Sequence, residues 1–255
     1  MNSFKYTEVS PVEHLKDFIE TYWIMETGPL YQPADVRLYA DGTTDIFVNM
    51  GSTRPLLNNK PLLPGTIYFG GTMTTSSLIQ RLPNSVFIGI RFKPGGFAFF
   101  YKLPLHELTD EIIEFPDRFL RDLLDVDDQV TDRLNDFFTR KIRNTRNLLP
   151  LAKTVEYYKG KITVDCLAEK HHLTNRTLER LFNEHMGISP KEFIKVIRFQ
   201  QVLKRIRKKD YKDNLAELAF EMGYYDHAHL TNEVKRYSGF NPTALTALFK
   251  PHEKR

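Results

Sequence analysis

The chain contains one cysteine and one tryptophan in 255 residues. With Cys166 alone, no intrachain disulfide can form and no thiolate-rich metal centre can be assembled. No apolar run approaches the ~20 residues needed to cross a bilayer. The first residues, Met-Asn-Ser-Phe-Lys-Tyr-Thr-Glu, lack the apolar core of a secretory leader. A cytoplasmic protein with no membrane partner is expected. The histidines do not compensate for the missing thiols. His171 and His172 are adjacent and His227 and His229 lie two apart, neither at the i, i+4 spacing of helical ligands, and no suitable acidic partner accompanies them. No nucleophile motif or phosphate loop is present either. The expectation is no metal, no cofactor and no enzymatic activity.

What is present is a globular composition, 41% hydrophobic and 27% charged, in a chain long enough for two modest domains. The charge is unevenly placed. Residues 1–150 carry 16 Lys and Arg against 19 Asp and Glu, a balance of −3; the remaining residues carry 20 against 13, a balance of +7. A basic half joined to a slightly acidic one suggests a nucleic-acid module attached to something else.

In the first half, Val12, Leu15, Phe18, Ile19 and Tyr22 suggest a short amphipathic helix over Pro11–Trp23. Strand patterns follow. Val36–Tyr39 and Thr44–Met50 flank Ala40-Asp41-Gly42, a hairpin signal. Thr66–Phe69, Leu78–Leu82 and Ser85–Phe92 are punctuated by Gly and Pro. Short strands so spaced predict a small β-barrel or sandwich, cupin-like, in an α+β domain. Helical pattern resumes over about 97–142, through Phe97–Leu103, Leu105–Glu114 and Val126–Ile142. The last segment either closes its own domain's core or presents Val130, Leu134, Phe137, Phe138 and Ile142 to a second copy, giving a homodimer. The domain boundary is placed between Asn144 and Pro150, dividing the chain into 1–145 and 150–255.

The second half reads as helices only. Thr163 and Thr174 are candidate N-caps, Gly187 a stop, and Ser189-Pro190 opens a long helix to about Lys209. Asn214 with Glu217 resembles a capping box. Gly223, Asp226, Gly239 and Asn241-Pro242 repeat the same punctuation. The segment is an internal repeat: Leu167-Ala168 matches Leu218-Ala219, Leu178 matches Leu230, Phe182 matches Val234, Gly187 matches Gly239, and Pro190 matches Pro242. Two helix-turn-helix units, 163–187 and 214–239, are joined by the helix 190–209. At 1.5 Å per residue that connector spans roughly 30 Å, close to the ~34 Å between successive major-groove faces. Lys191, Lys195, Arg198, Arg205 and Lys209 form its basic arc, and a cluster beside two such units suggests phosphate.

These motifs resemble the AraC/XylS family of bacterial transcription regulators. Arg176-Thr177-Leu178-Glu179-Arg180-Leu181-Phe182 and Gly187-Ile188-Ser189-Pro190 look like the family's first unit. Leu218-Ala219-Phe220, Gly223-Tyr224, His229-Leu230, Lys235-Arg236 and Gly239-Phe240-Asn241-Pro242 look like its second. The resemblance covers about 150–250. Asp41-Gly42-Thr43-Thr44-Asp45 and Gly89–Gly96 are similar to the β-rich sensory domains of some members. It implies double-stranded DNA as partner, a small-molecule effector and contact with RNA polymerase.

By motif position, Asn175, Arg176, Glu179 and Arg180 should face bases from the first reading helix. His227, Ala228, Thr231 and Asn232 should do so from the second. Glu179 has a second reading, pairing with Arg176 or Asn183 on its own helix. Lys191, Lys195, Arg198, Lys235 and Arg236 are expected on phosphates. Arg37, Tyr39, Asp45, Tyr68 and Arg91 are candidates to converge inside the barrel as an effector pocket; each alone reads equally as a surface or structural residue. A ligand-independent DNA binder and an enzyme housed in the β-rich domain are the competing functions.

Overall fold

The computed structural model describes residues 3–115, 117–124, 127–143, 145, 147–208 and 215–249. Asn144 of the expected boundary, Val126, Lys209 and the capping residue Asn214 lie outside the described residues.

The β-rich part is two antiparallel sheets. One has six strands in the order β1 (Phe4–Val9), β2 (Ile19–Thr27), β9 (Val86–Phe92), β4 (Thr44–Asn49), β7 (Ile67–Gly70) and β10 (Ile112–Glu114). The other has four, in the order β3 (Ala34–Leu38), β8 (Ser77–Arg81), β5 (Leu56–Leu57) and β6 (Lys60–Pro61). The large sheet is covered on both faces, and period-2 alternation assigns its side chains. Ile46, Val48, Ile88, Ile90 and Phe92 join Phe97, Phe100, Leu134 and Phe138 in one core. Met25, Phe47, Tyr68 and Phe87 point the other way, towards Leu57 and Ile79 of the small sheet.

Three expectations are corrected. Pro11–Trp23 is not a helix: only a 3-10 turn at Glu13–Leu15 precedes β2. Leu15, Ile19 and Tyr22 mimic a helical stripe because a turn places Leu15 on the face that the strand continues, and all three enter one core. The hairpin about Gly42 does not form either. β3 pairs with β8, while β4 pairs with β7 and β9, so Ala40–Thr43 is a corner between sheets. Over 97–114 the expected helices reduce to 3-10 turns at Phe97–Phe99 and Leu105–Glu107, followed by β10. The aromatic run there packs against Phe69, Phe92 and Phe115, so tertiary burial rather than helical periodicity sets it.

Helices α1 (Arg118–Arg121) and α2 (Val130–Lys141) follow. Val130, Leu134 and Phe138 are buried in their own domain's core. Asn135 accepts from the Val12 N–H and the Tyr22 hydroxyl, each at 3.1 Å. Most of the apolar stripe of α2 is therefore used within its own domain, with Phe137 partly buried and Ile142 exposed.

The remaining elements are α3 (Leu149–Tyr157), α4 (Val164–Lys170), α5 (Asn175–Met186), α6 (Pro190–Lys208), α7 (Leu215–Glu221), α8 (His227–Ser238) and α9 (Pro242–Leu248). The anticipated caps are made. Thr163, Thr174, Asp226 and Asn241 accept the N–H groups of Cys166, Thr177, His229 and Ala244. Gly187 and Gly239 end α5 and α8 at φ of 77° and 75°, the left-handed region that only glycine enters cheaply. Two cores lie along α6: Leu178, Phe182, Phe193 and Ile197 in the first, Phe199, Leu203, Leu230 and Val234 in the second.

Candidate nucleic-acid interface and effector cavity

Burying Leu178 and Phe182 from α5, and Leu230 and Val234 from α8, turns the opposite faces of both helices outwards. Asn175, Arg176, Glu179 and Arg180 are all exposed on α5; His227, Ala228 and Asn232 are exposed on α8. Thr231 is half-buried, and its hydroxyl donates to the His227 carbonyl of its own helix at 2.8 Å. Asn175 donates to Asp165 at 2.6 Å, fixing the start of α5 to α4. Glu179 makes no hydrogen bond or ion pair with Arg176 or Asn183 among the described residues.

The five expected phosphate contacts divide. Lys191 and Lys235 are exposed. Lys195 lies 3.2 Å from the Glu233 carboxylate, and Arg236 lies 2.8 Å from Glu192. Arg198 donates from Nε to the Gly160 carbonyl at 2.9 Å and stacks over the Tyr224 ring. These three cations tie α6 to α8 and to the turns at Gly160 and Tyr224. Their partners come from remote segments, which helical-wheel arithmetic on α6 alone does not reveal. The second unit also exposes two aromatics to which the sequence assigned no DNA contact, Phe220 at 85% and Tyr225 at 94%. Tyr225 directly precedes the cap of α8.

A cavity of about 520 Å³ opens between the two sheets and α6, within the usual size range for small-molecule sites. Arg37, Tyr39, Asp45 and Arg91 all line it. Tyr68 shares their face of the sheet but is buried against Phe47, and its hydroxyl accepts the Leu63 N–H at 2.7 Å. On the cavity floor Asp45 lies 3.3 Å from Arg91 and accepts the Trp23 indole N–H at 2.9 Å. That indole lies across Gly89, leaving no room for a Cβ there. Asp45 holds the Arg91 guanidinium firmly protonated. Burial pushes the Asp45 carboxyl up against the opposing pull of Arg91 and the indole. Burial likewise pushes the Tyr6 hydroxyl up to about 12. Gln200, Leu203 and Arg207 of α6 complete the lining, so both halves of the chain meet at the cavity. Strand alternation signalled Asp45 and Arg91; nothing local signalled the α6 residues.

Together the fold and these surfaces define a two-part protein, a β sandwich with an internal cavity joined to a double helix-turn-helix. Both parts have matches among known proteins. Residues 167–247 match the family described as a helix-turn-helix domain, and residues 7–114 match a domain of unknown function, DUF6597. The activator RhaS of Escherichia fergusonii is 23% identical over 90 residues, 35% of this chain and 32% of that protein. RhaS of Salmonella schwarzengrund is 24% identical over 87 residues, 34% of this chain and 31% of that one. The aligned region thus spans about a third of these curated relatives. The crystal structure of ToxT from Vibrio cholerae aligns with a TM-score of 0.49 at 10% identity, covering 85% of this chain and 98% of that one. The second half of the chain is thus similar to the helix-turn-helix part of AraC/XylS-type regulators.

Proposed function

We propose that the chain is a sequence-specific regulator of transcription that reads two successive major grooves of double-stranded DNA, with α5 and α8 as its reading helices. One observation carries this: two equivalent, N-capped helices leave their polar faces exposed at either side of the single connector α6. Its 19 residues span roughly 28 Å, suited to grooves one helical turn apart on one side of a duplex. Residues 150–255 form the reader. Residues 1–145 form the sensor, its cavity taking a small molecule with an apolar body and at least one polar group. This answers a lining that is aromatic on the floor and charged at Arg37, Asp45, Arg91 and Arg207. The named relatives are activators, and by analogy with them contact with RNA polymerase belongs to the same proposal. Among the described residues no helix is long and apolar enough to cross a membrane, and we place the protein with its DNA in the cytoplasm. The helix-turn-helix match favours this reading over an enzyme built in the β-rich part.

The test is selection of binding sites from randomised duplex DNA with the purified full chain. Two sequence boxes, centred about 10–10.5 base pairs apart, are expected to be enriched. Absence of any enriched sequence would overturn the proposal.

A further inference from the structure

The turns of the two helix-turn-helix units differ by one residue. Leu167-Ala168 and Leu218-Ala219 occupy equivalent core positions, and each following turn holds one residue at positive φ, His172 at 53° and Gly223 at 75°. In the first unit Leu173 alone separates His172 from the cap Thr174. In the second, Tyr224 and Tyr225 together separate Gly223 from the cap Asp226. Leu173 and Tyr224 play the same part, each packing against the core of its own unit. The extra residue is therefore Tyr225. Its side chain is 94% exposed, beside a neighbour only 5% exposed. Tyr224 turns into the core with Leu230 and Val234, so Tyr225 turns out of it, to the side on which α8 exposes His227, Ala228 and Asn232.

Resting on the regulator reading, we infer that Tyr225 is a specificity-determining residue whose ring packs on the C5-methyl of a thymine at the edge of the second box. That box is then one base pair longer than the first. A helix-turn-helix reads bases from the N-terminal residues of its second helix. Tyr225 stands two residues before His227, within about 7 Å of it along the backbone, and a tyrosine side chain is long enough to cover that gap. Chemistry favours the methyl over the DNA backbone. Asp226 puts a carboxylate where the first unit has the neutral hydroxyl of Thr174, and a phosphate beside it is repelled. The thymine methyl is the apolar group that the major groove presents, and it takes apolar side chains. An uncharged ring outside the core meets it without giving up any contact of the fold, and their contact removes apolar surface of both from water.

The experiment selects binding sites from randomised duplex DNA with the full chain and with Tyr225→Ala. The wild-type chain should enrich a thymine at one flanking position of the second box and at no equivalent position of the first. Tyr225→Ala should enrich both boxes without it. The site is then remade with deoxyuridine in place of that thymine, which removes the C5-methyl alone. Wild type and Tyr225→Phe should each bind it about fourfold more weakly, the worth of burying one methyl, and Tyr225→Ala should bind the two DNAs alike. Both variants should keep the wild-type thermal midpoint, because the ring is exposed; a lower midpoint in Tyr225→Ala would make the residue structural and count against the inference. A thymine preference that survives in Tyr225→Ala would overturn it. So would Tyr225→Phe losing affinity equally on every duplex, which places the hydroxyl on a phosphate. If selection enriches no sites, the regulator reading itself falls; if it enriches paired boxes without that thymine, only the assignment of Tyr225 falls.

Discussion

Lys195 of α6 and Glu233 of α8 form an ion pair at 3.2 Å, with Glu233 only 5% exposed. Its Oε1 also lies 3.3 Å from His229, and its Oε2 is buried with no hydrogen-bond partner. The second unit's α8 is thus joined to the connector in part by a buried carboxylate shared between Lys195 and His229. Removing Lys195 leaves that buried carboxylate with His229 as its remaining cationic neighbour. Lys195→Ala should cost about 2 kcal/mol in chemical denaturation, below the full cost of a broken buried pair because Lys195 is partly exposed. The salt dependence of DNA binding should stay as in wild type. A slope lower by about one charge would return Lys195 to the phosphate contacts.

Arg180 is exposed near the middle of α5, on the face opposite Leu178 and Phe182. Arg180→Ala should cost about 1–3 kcal/mol at a selected site and relax preference at one base pair. Lys191→Ala should weaken all duplexes alike and lower the salt slope by about one. Equilibrium titrations on matched and single-substituted sites separate the two behaviours; equal loss on every sequence would move Arg180 to the backbone.

Trp23 is the chain's single tryptophan and lies on the cavity floor, its indole N–H bonded to Asp45. Its fluorescence is therefore a specific reporter of the cavity. Adding an effector should shift or quench the emission with saturation, and Arg91→Ala should weaken that response about tenfold or more through loss of a charge-assisted contact. Ligands that alter DNA binding while leaving Trp23 emission unchanged would place the effector elsewhere.

His171 packs against Thr154, its Nε2 2.8 Å from that hydroxyl. Burial first, then the neighbouring His172 and Lys170, hold its imidazole below the ordinary value. The unfolded chain therefore binds the proton first as pH falls. Stability from this site is full above the unfolded value of about 6.5 and is lost as pH drops through the folded one. Thermal midpoints should fall between pH 7 and pH 5, and fall less in His171→Gln. An equal fall in both would assign the acid sensitivity to other groups.

Much of the helical half was legible because its signals are local. A threonine or aspartate cap acts within three residues and a glycine stop within five, so Thr163, Thr174, Asp226, Gly187 and Gly239 could be read without knowing what lies beside them. The repeat doubled each signal. In the β-rich half, the strands Thr44–Asn49, Ile67–Gly70, Ser77–Arg81 and Val86–Phe92 followed their pattern, but pairing did not. The glycine corner at Gly42 looks the same whether the next strand returns to its neighbour or leaves for another sheet. Leu15, Ile19 and Tyr22 satisfy a helical stripe and a turn-plus-strand equally well.

The sequence by itself determined the two helix-turn-helix units, the connector between them, and the resemblance of this half to known helix-turn-helix regulators. Tertiary structure alone decided that Lys195, Arg198 and Arg236 hold helices together, that α2 packs inward, and that the cavity is completed by Gln200, Leu203 and Arg207. The difference is one of range: caps and periodicity are set by neighbours along the chain, whereas ion pairs, cavity walls and domain contacts join residues that only folding brings together.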